Sequence, residues 1–92
     1  MDWIVEFDEA AQKQLSKLDK QLQKNIIKYL KERIATQDDP RRFGKPLAYD
    51  KYGLWRYRVG NARIVCSIEE HQLLVLVVQV GHRSTEIGRA HV

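Results

Sequence analysis

The sequence predicts an α+β fold: a small single domain in the order β-α-α-β-β-β, with a helical hairpin packed on a mostly antiparallel four-stranded sheet. Three observations carry this. A short aromatic and β-branched run opens the chain at Trp3-Ile4-Val5-Glu6-Phe7, and a stripe of apolar residues at helical spacing follows it. The second half then holds three strand-like runs, the first two separated by only two turn residues, Gly60-Asn61.

The opening run ends at Asp8, whose side chain can cap a following helix. Apolar residues then recur at Ala11, Leu15, Leu18, Leu22, Ile26, Leu30 and Ile34, three or four apart, which buries one helical stripe. A single helix over residues 8–35 would be about 42 Å long at 1.5 Å per residue, longer than a compact domain of this size, about 32 Å across. Two helices are therefore expected, broken at Leu18-Asp19-Lys20, with Asp19 capping the second. Thr36 to Pro40 stops that helix, and residues 41–53, with Gly44, Pro46 and Gly53, read as a basic loop. Leu54 to Val59 alternates, with Trp55, Tyr57 and Val59 on one side and Arg56 and Arg58 on the other. Gly60-Asn61 suits a type II′ or I′ turn, Ala62 to Ile68 returns, and Glu69 to Gln72 is a polar turn. Leu73 to Val80, apolar on both faces, reads as a central strand covered on each side.

Ninety-two residues make one domain, residues 1–92, and a composition 43% hydrophobic and 30% charged excludes disordered and fibrous classes. The longest apolar run, Leu73 to Val78, is far short of the roughly 20 residues of a membrane span, and the acidic start Met1-Asp2 is unlike a secretory leader. Cys66 is the single cysteine, so no internal disulfide can form, which suits a reducing, cytoplasmic location. Charge is unevenly divided. Residues 1–39 hold seven Lys/Arg against eight Asp/Glu, net −1, and residues 40–92 hold nine against four, net +5, which together give +4. The basic half points to an anionic partner, nucleic acid first.

A two-residue turn fixes the hairpin register: Val59 faces Ala62, Arg58 faces Arg63, Tyr57 faces Ile64 and Arg56 faces Val65. Arg56, Arg58 and Arg63 then share one sheet face. Like charges placed opposite each other cost up to about 1 kcal/mol, so an anion is expected between them in the working state. Arginine forks two hydrogen bonds onto a phosphate and keeps its charge at physiological pH. Gly81-His82-Arg83 adds a fourth arginine and a histidine at a strand end, His82 being the group there that titrates near neutrality. Taken alone, a histidine after a strand is more often a cap than an acid or base. Lys45 and Lys51 lie in the basic loop, and Lys13, Lys17, Lys24 and Lys28 recur along the helices, a pattern that is usually a solvated face but would grip phosphates non-specifically on RNA. Cys66, His71, His82 and His91 lack metal-ligand spacing, Ser67 and Ser84 lack a nucleophile motif, and neither a metal nor a cofactor is expected. Cys66, Trp55 and Tyr57 are expected in the core.

The element order, the run Leu-Trp-Arg-Tyr-Arg-Val-Gly-Asn-Ala-Arg-Ile-Val at 54–65 and Val-Gly-His-Arg-Ser-Thr-Glu-Ile at 80–87 resemble the RelE toxins of the RelE/ParE toxin–antitoxin superfamily over nearly the whole chain. The resemblance implies a RelE-like fold and a metal-independent endoribonuclease that cuts mRNA on the ribosome by attack of the ribose 2′-OH, inhibiting translation. It implies that Arg56, Arg58, Arg63 and Arg83 bind the phosphate and support cleavage, with His82 as the proton-transfer candidate. Its implied partners are a RelB-like antitoxin, the ribosome and mRNA, with operator DNA reached only through the antitoxin complex and no membrane involved. The match departs at Gly88, where many relatives carry a tyrosine that stacks on the substrate base, so the resemblance implies a weakened activity. A ParE-type poison of DNA gyrase and a non-catalytic module binding antitoxin and operator are the alternatives.

Overall fold

The computed structural model describes residues 2–47 and 53–82, with the last of these, His82, described in its backbone. Its elements are β1 (Ile4–Phe7), α1 (Glu9–Ser16), α2 (Lys20–Tyr29), β2 (Lys45–Pro46), β3 (Leu54–Val59), β4 (Ala62–Glu69) and β5 (Leu74–His82). The sheet has five strands in the order β1-β5-β4-β3-β2, one more than the sequence predicts. The added strand is the two-residue β2, which pairs antiparallel with β3 through Lys45↔Arg56 and Pro46↔Trp55. Two residues, one a proline, leave no periodicity to read, so the sequence alone shows only a loop there. β1 runs parallel to β5 and all other pairs are antiparallel.

Both helices begin where side-chain chemistry requires. Asp8 accepts a hydrogen bond from the Ala11 amide (2.8 Å), and Asp19 accepts one from the Leu22 amide (2.7 Å), which separates α1 from α2 as expected. The expected helix through Ala35 is α-helical only to Tyr29. Leu30–Ile34 form a wider π-type turn, closed by the Ala35 amide on the Leu30 carbonyl (2.8 Å). Four residues make more than a full α turn but less than a π turn, so the widening keeps Leu30 and Ile34 in line with Ile26, and all three are buried.

The hairpin register is the one expected, Arg58 directly opposite Arg63 and Arg56 opposite Val65. Gly60 has φ +56° and Asn61 does not have a positive φ, which selects type II′ of the two turns. Leu73, expected in the last strand, instead sits in the left-handed region (φ 51°) and closes the turn before β5. Along β5 a bulge intervenes, because Val65 pairs with Gln79 while its neighbour Cys66 pairs with Val77. The extra residue, Val78, shifts the alternation so that Val75, Val77 and Val80 all reach the core and Gln79 stays exposed. β1 ends opposite Val77, and beyond it the Val80 amide donates to Gln14 Oε1 of α1 (2.7 Å), so that donor is satisfied without a neighbouring strand.

The core between helices and sheet holds Trp3, Ala11, Ile26, Leu30, Ile34, Tyr57, Val59, Ala62, Ile64, Cys66, Val75, Val77 and Val80. Cys66 and Tyr57 lie in it as expected, whereas Trp55 is only half-buried, with the Arg41 guanidinium 6.0 Å from its ring centre. No helix among the described residues is long and apolar enough to cross a membrane.

Three stability outcomes follow from this packing. A Cβ at Gly44 would lie 2.8 Å from the Tyr57 ring and 2.9 Å from the Arg56 carbonyl, neither of which can yield, so Gly44→Ala should cost about 1–3 kcal/mol in denaturant unfolding. Arg58→Gln keeps the side-chain stem and removes one of two facing charges, so its melting temperature should rise, by less in 1 M salt than in 50 mM salt. Burial pushes the Cys66 thiol from 9.0 up to about 12, and burial also raises Tyr57. Below pH 9 the thiol is neutral in folded and unfolded chains and leaves stability unchanged. Between pH 9 and 12 the unfolded chain ionises first, and stability falls as pH rises. Urea midpoints from pH 8 to 11 should decline less steeply in Cys66→Ala than in the parent; parallel curves would contradict the assignment.

Candidate functional site

Alternation along β3 turns Tyr57 inward and leaves Arg56 and Arg58 on the opposite face, where the register adds Arg63 from β4. These three arginines line one cleft of about 230 Å³ together with Phe43, Lys45 and the edge of Tyr57. Pairing of β2 with β3 sets Lys45 directly opposite Arg56, which is how a residue eleven positions earlier joins the cluster. Four cationic side chains thus face one space. Arg58 is exposed, and Arg56 and Arg63 are half-buried.

The approach of the 40–46 segment is held by several contacts. The Tyr57 hydroxyl donates to the Pro40 carbonyl (2.7 Å), and Gly44 packs against the Tyr57 ring at a distance that no side chain would permit. Asp39 caps the short 3₁₀ turn Pro40–Phe43 by accepting from the Arg41 amide (3.0 Å). Arg41 pairs with Asp39 (3.0 Å) and with Glu70, and Arg42 pairs with Asp38 (2.8 Å). Asp38, Asp39 and Glu70 are therefore engaged by Arg41 and Arg42. Neither Arg56 nor Arg58 has a carboxylate partner among the described residues.

Of the sequence-predicted site residues, the structure brings Arg56, Arg58, Arg63 and Lys45 together. Lys13, Lys17, Lys24 and Lys28 are exposed on the helices and do not line this cleft; Lys13 pairs with Glu9 at 3.5 Å, and Lys28 borders a shallow groove with Arg33 and Val59. Lys51, Arg83 and the side chain of His82 lie outside the described residues; the His82 backbone stands opposite Ala62, one step past Gly81 opposite Arg63. Phe43 was missed by sequence reasoning. Its signal would have been its place in Arg41-Arg42-Phe43-Gly44-Lys45, an aromatic ring inside a basic run with a glycine that demands a close approach. Among the described residues no three His, Cys, Asp or Glu side chains converge as a metal site would require.

Such a cleft can hold a phosphodiester. Two facing arginines separated by a strand pairing can each donate to a different non-bridging oxygen, and the positive charge is fixed before any ligand arrives.

Comparison with known proteins agrees with this architecture. The family model described as the ParE toxin of the type II toxin–antitoxin system parDE matches residues 5–87. No curated protein matches the chain. Among solved structures, the chain is similar to one in the toxin–antitoxin complex RelBE2 of Mycobacterium tuberculosis, with 25% identity and TM-score 0.81 over 91% of this chain and 94% of that one. It is also similar to one in the archaeal RelE–RelB complex of Pyrococcus horikoshii, with 20% identity and TM-score 0.71 over 90% and 97% of the two chains. A mutant of the E. coli toxin RelE in the free state matches at 21% identity and TM-score 0.70 over 97% and 93%. The last two likenesses concern the fold alone. With the family model spanning nearly its whole length, the chain belongs to the ParE toxin family of type II toxin–antitoxin systems and is a RelE-like toxin of the RelE/ParE superfamily.

Proposed function

We propose that this toxin inhibits translation as a ribosome-dependent mRNA endoribonuclease. The observation that carries the reading is the convergence of Arg56, Arg58, Arg63 and Lys45 on one cleft. Cleavage of RNA by its own 2′-OH needs no protein nucleophile: the hydroxyl oxygen bonds to the adjacent phosphorus, the bond to the 5′ oxygen of the next nucleotide breaks, and a 2′,3′-cyclic phosphate and a 5′-hydroxyl result. What the protein must supply is alignment of the backbone and neutralisation of the charge that gathers on the phosphorane oxygens. Fixed arginines do both. Arginine is a poor base, so proton transfer falls to His82 or to the ribosome, and Arg83 extends the phosphate contacts. The exposed helical lysines Lys13, Lys17, Lys24 and Lys28, with Lys51, supply salt-dependent attraction to ribosomal RNA.

The natural counterpart is an antitoxin. Several of the solved structures to which this chain is similar are toxin–antitoxin complexes of RelE with RelB, and a RelB-like partner that covers the cleft would silence it in the cytoplasm of its own cell. A second reading, a poison of DNA gyrase, is favoured by the ParE description of the matching family model. It acts by binding a protein and gives the arginine cleft no chemical task.

Primer extension on mRNA from a translation extract separates the two. Added protein should create new 5′ ends within codons held in the ribosomal A site, and free RNA should stay intact. Arg58→Ala and Arg63→Ala should each lower cleavage about 10²-fold, the scale of losing one charge-stabilising donor at a reacting centre. A deoxyribose at the cut position should abolish the reaction. Intact mRNA together with inhibited gyrase supercoiling would favour the second reading.

A further inference from the structure

Phe43 is out of place as a core residue. It is 37% exposed, one of three large apolar side chains left open among the described residues, and it stands at the lip of the arginine cleft. The ring is left partly open although its position is tightly built. The 3₁₀ turn that carries it is capped by Asp39, its first residue Pro40 is held by the Tyr57 hydroxyl, and Gly44 next to it lies against the Tyr57 ring. One residue further, Lys45 is fixed opposite Arg56. The ring cannot drift away from the cations.

Its surroundings are cationic as well. The guanidinium carbons of Arg33 and Arg42 stand 5.7 and 5.2 Å from the ring centre, from the π-type turn and from the ring's own neighbour. These contacts hold the ring against the helix layer, with Arg42 also paired to Asp38. An aromatic face beside a row of fixed cations is the pattern that binds single-stranded nucleic acid, the cations tracking the backbone and the ring taking a base.

We propose that Phe43 is a substrate-binding residue, the stacking platform for one nucleobase of the RNA whose phosphate rests on Arg56, Arg58 and Arg63, with Arg42 and Arg33 reaching toward the neighbouring phosphate. The inference rests on the proposed ribonuclease activity.

The test is ribosome-dependent cleavage by the full chain and by Phe43→Ala, Phe43→Leu, Phe43→Trp and Arg58→Ala, on mRNA with either a normal or an abasic nucleotide at each position of the A-site codon in turn. Phe43→Ala and Phe43→Leu should lose five- to 150-fold in kcat/KM, while Phe43→Trp stays within about threefold of the parent. At one codon position the abasic nucleotide should cost the parent as much as Phe43→Ala does, and should cost Phe43→Ala nothing further. Phe43→Leu keeps an apolar side chain at the turn and gives up only the cation–π contacts, so thermal unfolding should show it still folded at the assay temperature, which excludes a folding explanation. Parental activity in Phe43→Leu, or equal losses from the abasic nucleotide in parent and Phe43→Ala at all three positions, overturns the inference while the ribonuclease reading stands through Arg58→Ala. If the parent makes no new mRNA ends on the ribosome, the ribonuclease reading and the inference fall together.

Discussion

The position of Tyr57 is the constraint on which the rest depends. Its ring is buried in the centre of the core, its hydroxyl holds the Pro40 carbonyl at 2.7 Å, and Gly44 lies against it. A side chain pointing into the core at position 57 forces positions 56 and 58 outward, because successive residues of a strand alternate. The same residue therefore anchors the hydrophobic layer, pulls in the segment that carries Phe43 and Lys45, and aims two arginines at the space between. Core and cleft are two sides of one strand. A change that repositions the ring must also move the charges.

Register does the remaining work. The type II′ turn at Gly60-Asn61 sets Arg63 against Arg58, and the bulge at Val78 lets β5 keep valines in the core on both sides of it while Gln79 faces outward. Without that bulge, the alternation from Val75 and Val77 would bring Gln79 to the core side and Val80 to the arginine side. A buried, unpartnered amide costs about 1–3 kcal/mol, comparable to a tenth or more of the stability of a domain, so the bulge is a structural requirement. It also brings Gly81 opposite Arg63, where the strand carries no side chain to crowd the guanidinium stem.

The legible part of this fold was the part written in periodicity and turn chemistry. The three-and-four spacing from Ala11 to Ile34 showed the buried stripe, Asp8 and Asp19 showed both helix starts, and the two residues at 60–61 fixed the hairpin register residue by residue. The illegible parts depend on contacts distant in sequence. β2 exists because Lys45 and Pro46 find β3, and its two residues have no pattern of their own. The π-type turn follows from the need to keep Ile34 over the sheet, and the bulge from the pairing of β5 with β4. Of the candidate site, the three arginines of the hairpin could be placed on one face in advance because a two-residue turn leaves one register. Phe43 could not, since its approach to the cleft is determined by Gly44 and Tyr57 across the sheet.

The distribution of opposite charge is as telling as the arginines themselves. Asp38, Asp39 and Glu70 are engaged by Arg41 and Arg42, and those three pairs tie down the 3₁₀ turn. Exposed pairs of this kind contribute little to stability, about 0–1 kcal/mol each, so their main effect is geometric. The helical lysines behave differently: they are spread along exposed turns, and Lys13 is paired at 3.5 Å with Glu9, both side chains lying in water where salt screens them. Spread charge attracts a polyanion without orienting it, whereas converged charge held by a packed turn and a buried tyrosine orients one phosphate. Under the ribonuclease reading the two sets divide the task, the helices favouring encounter with RNA and the hairpin arginines favouring the transition state once the backbone has been seated.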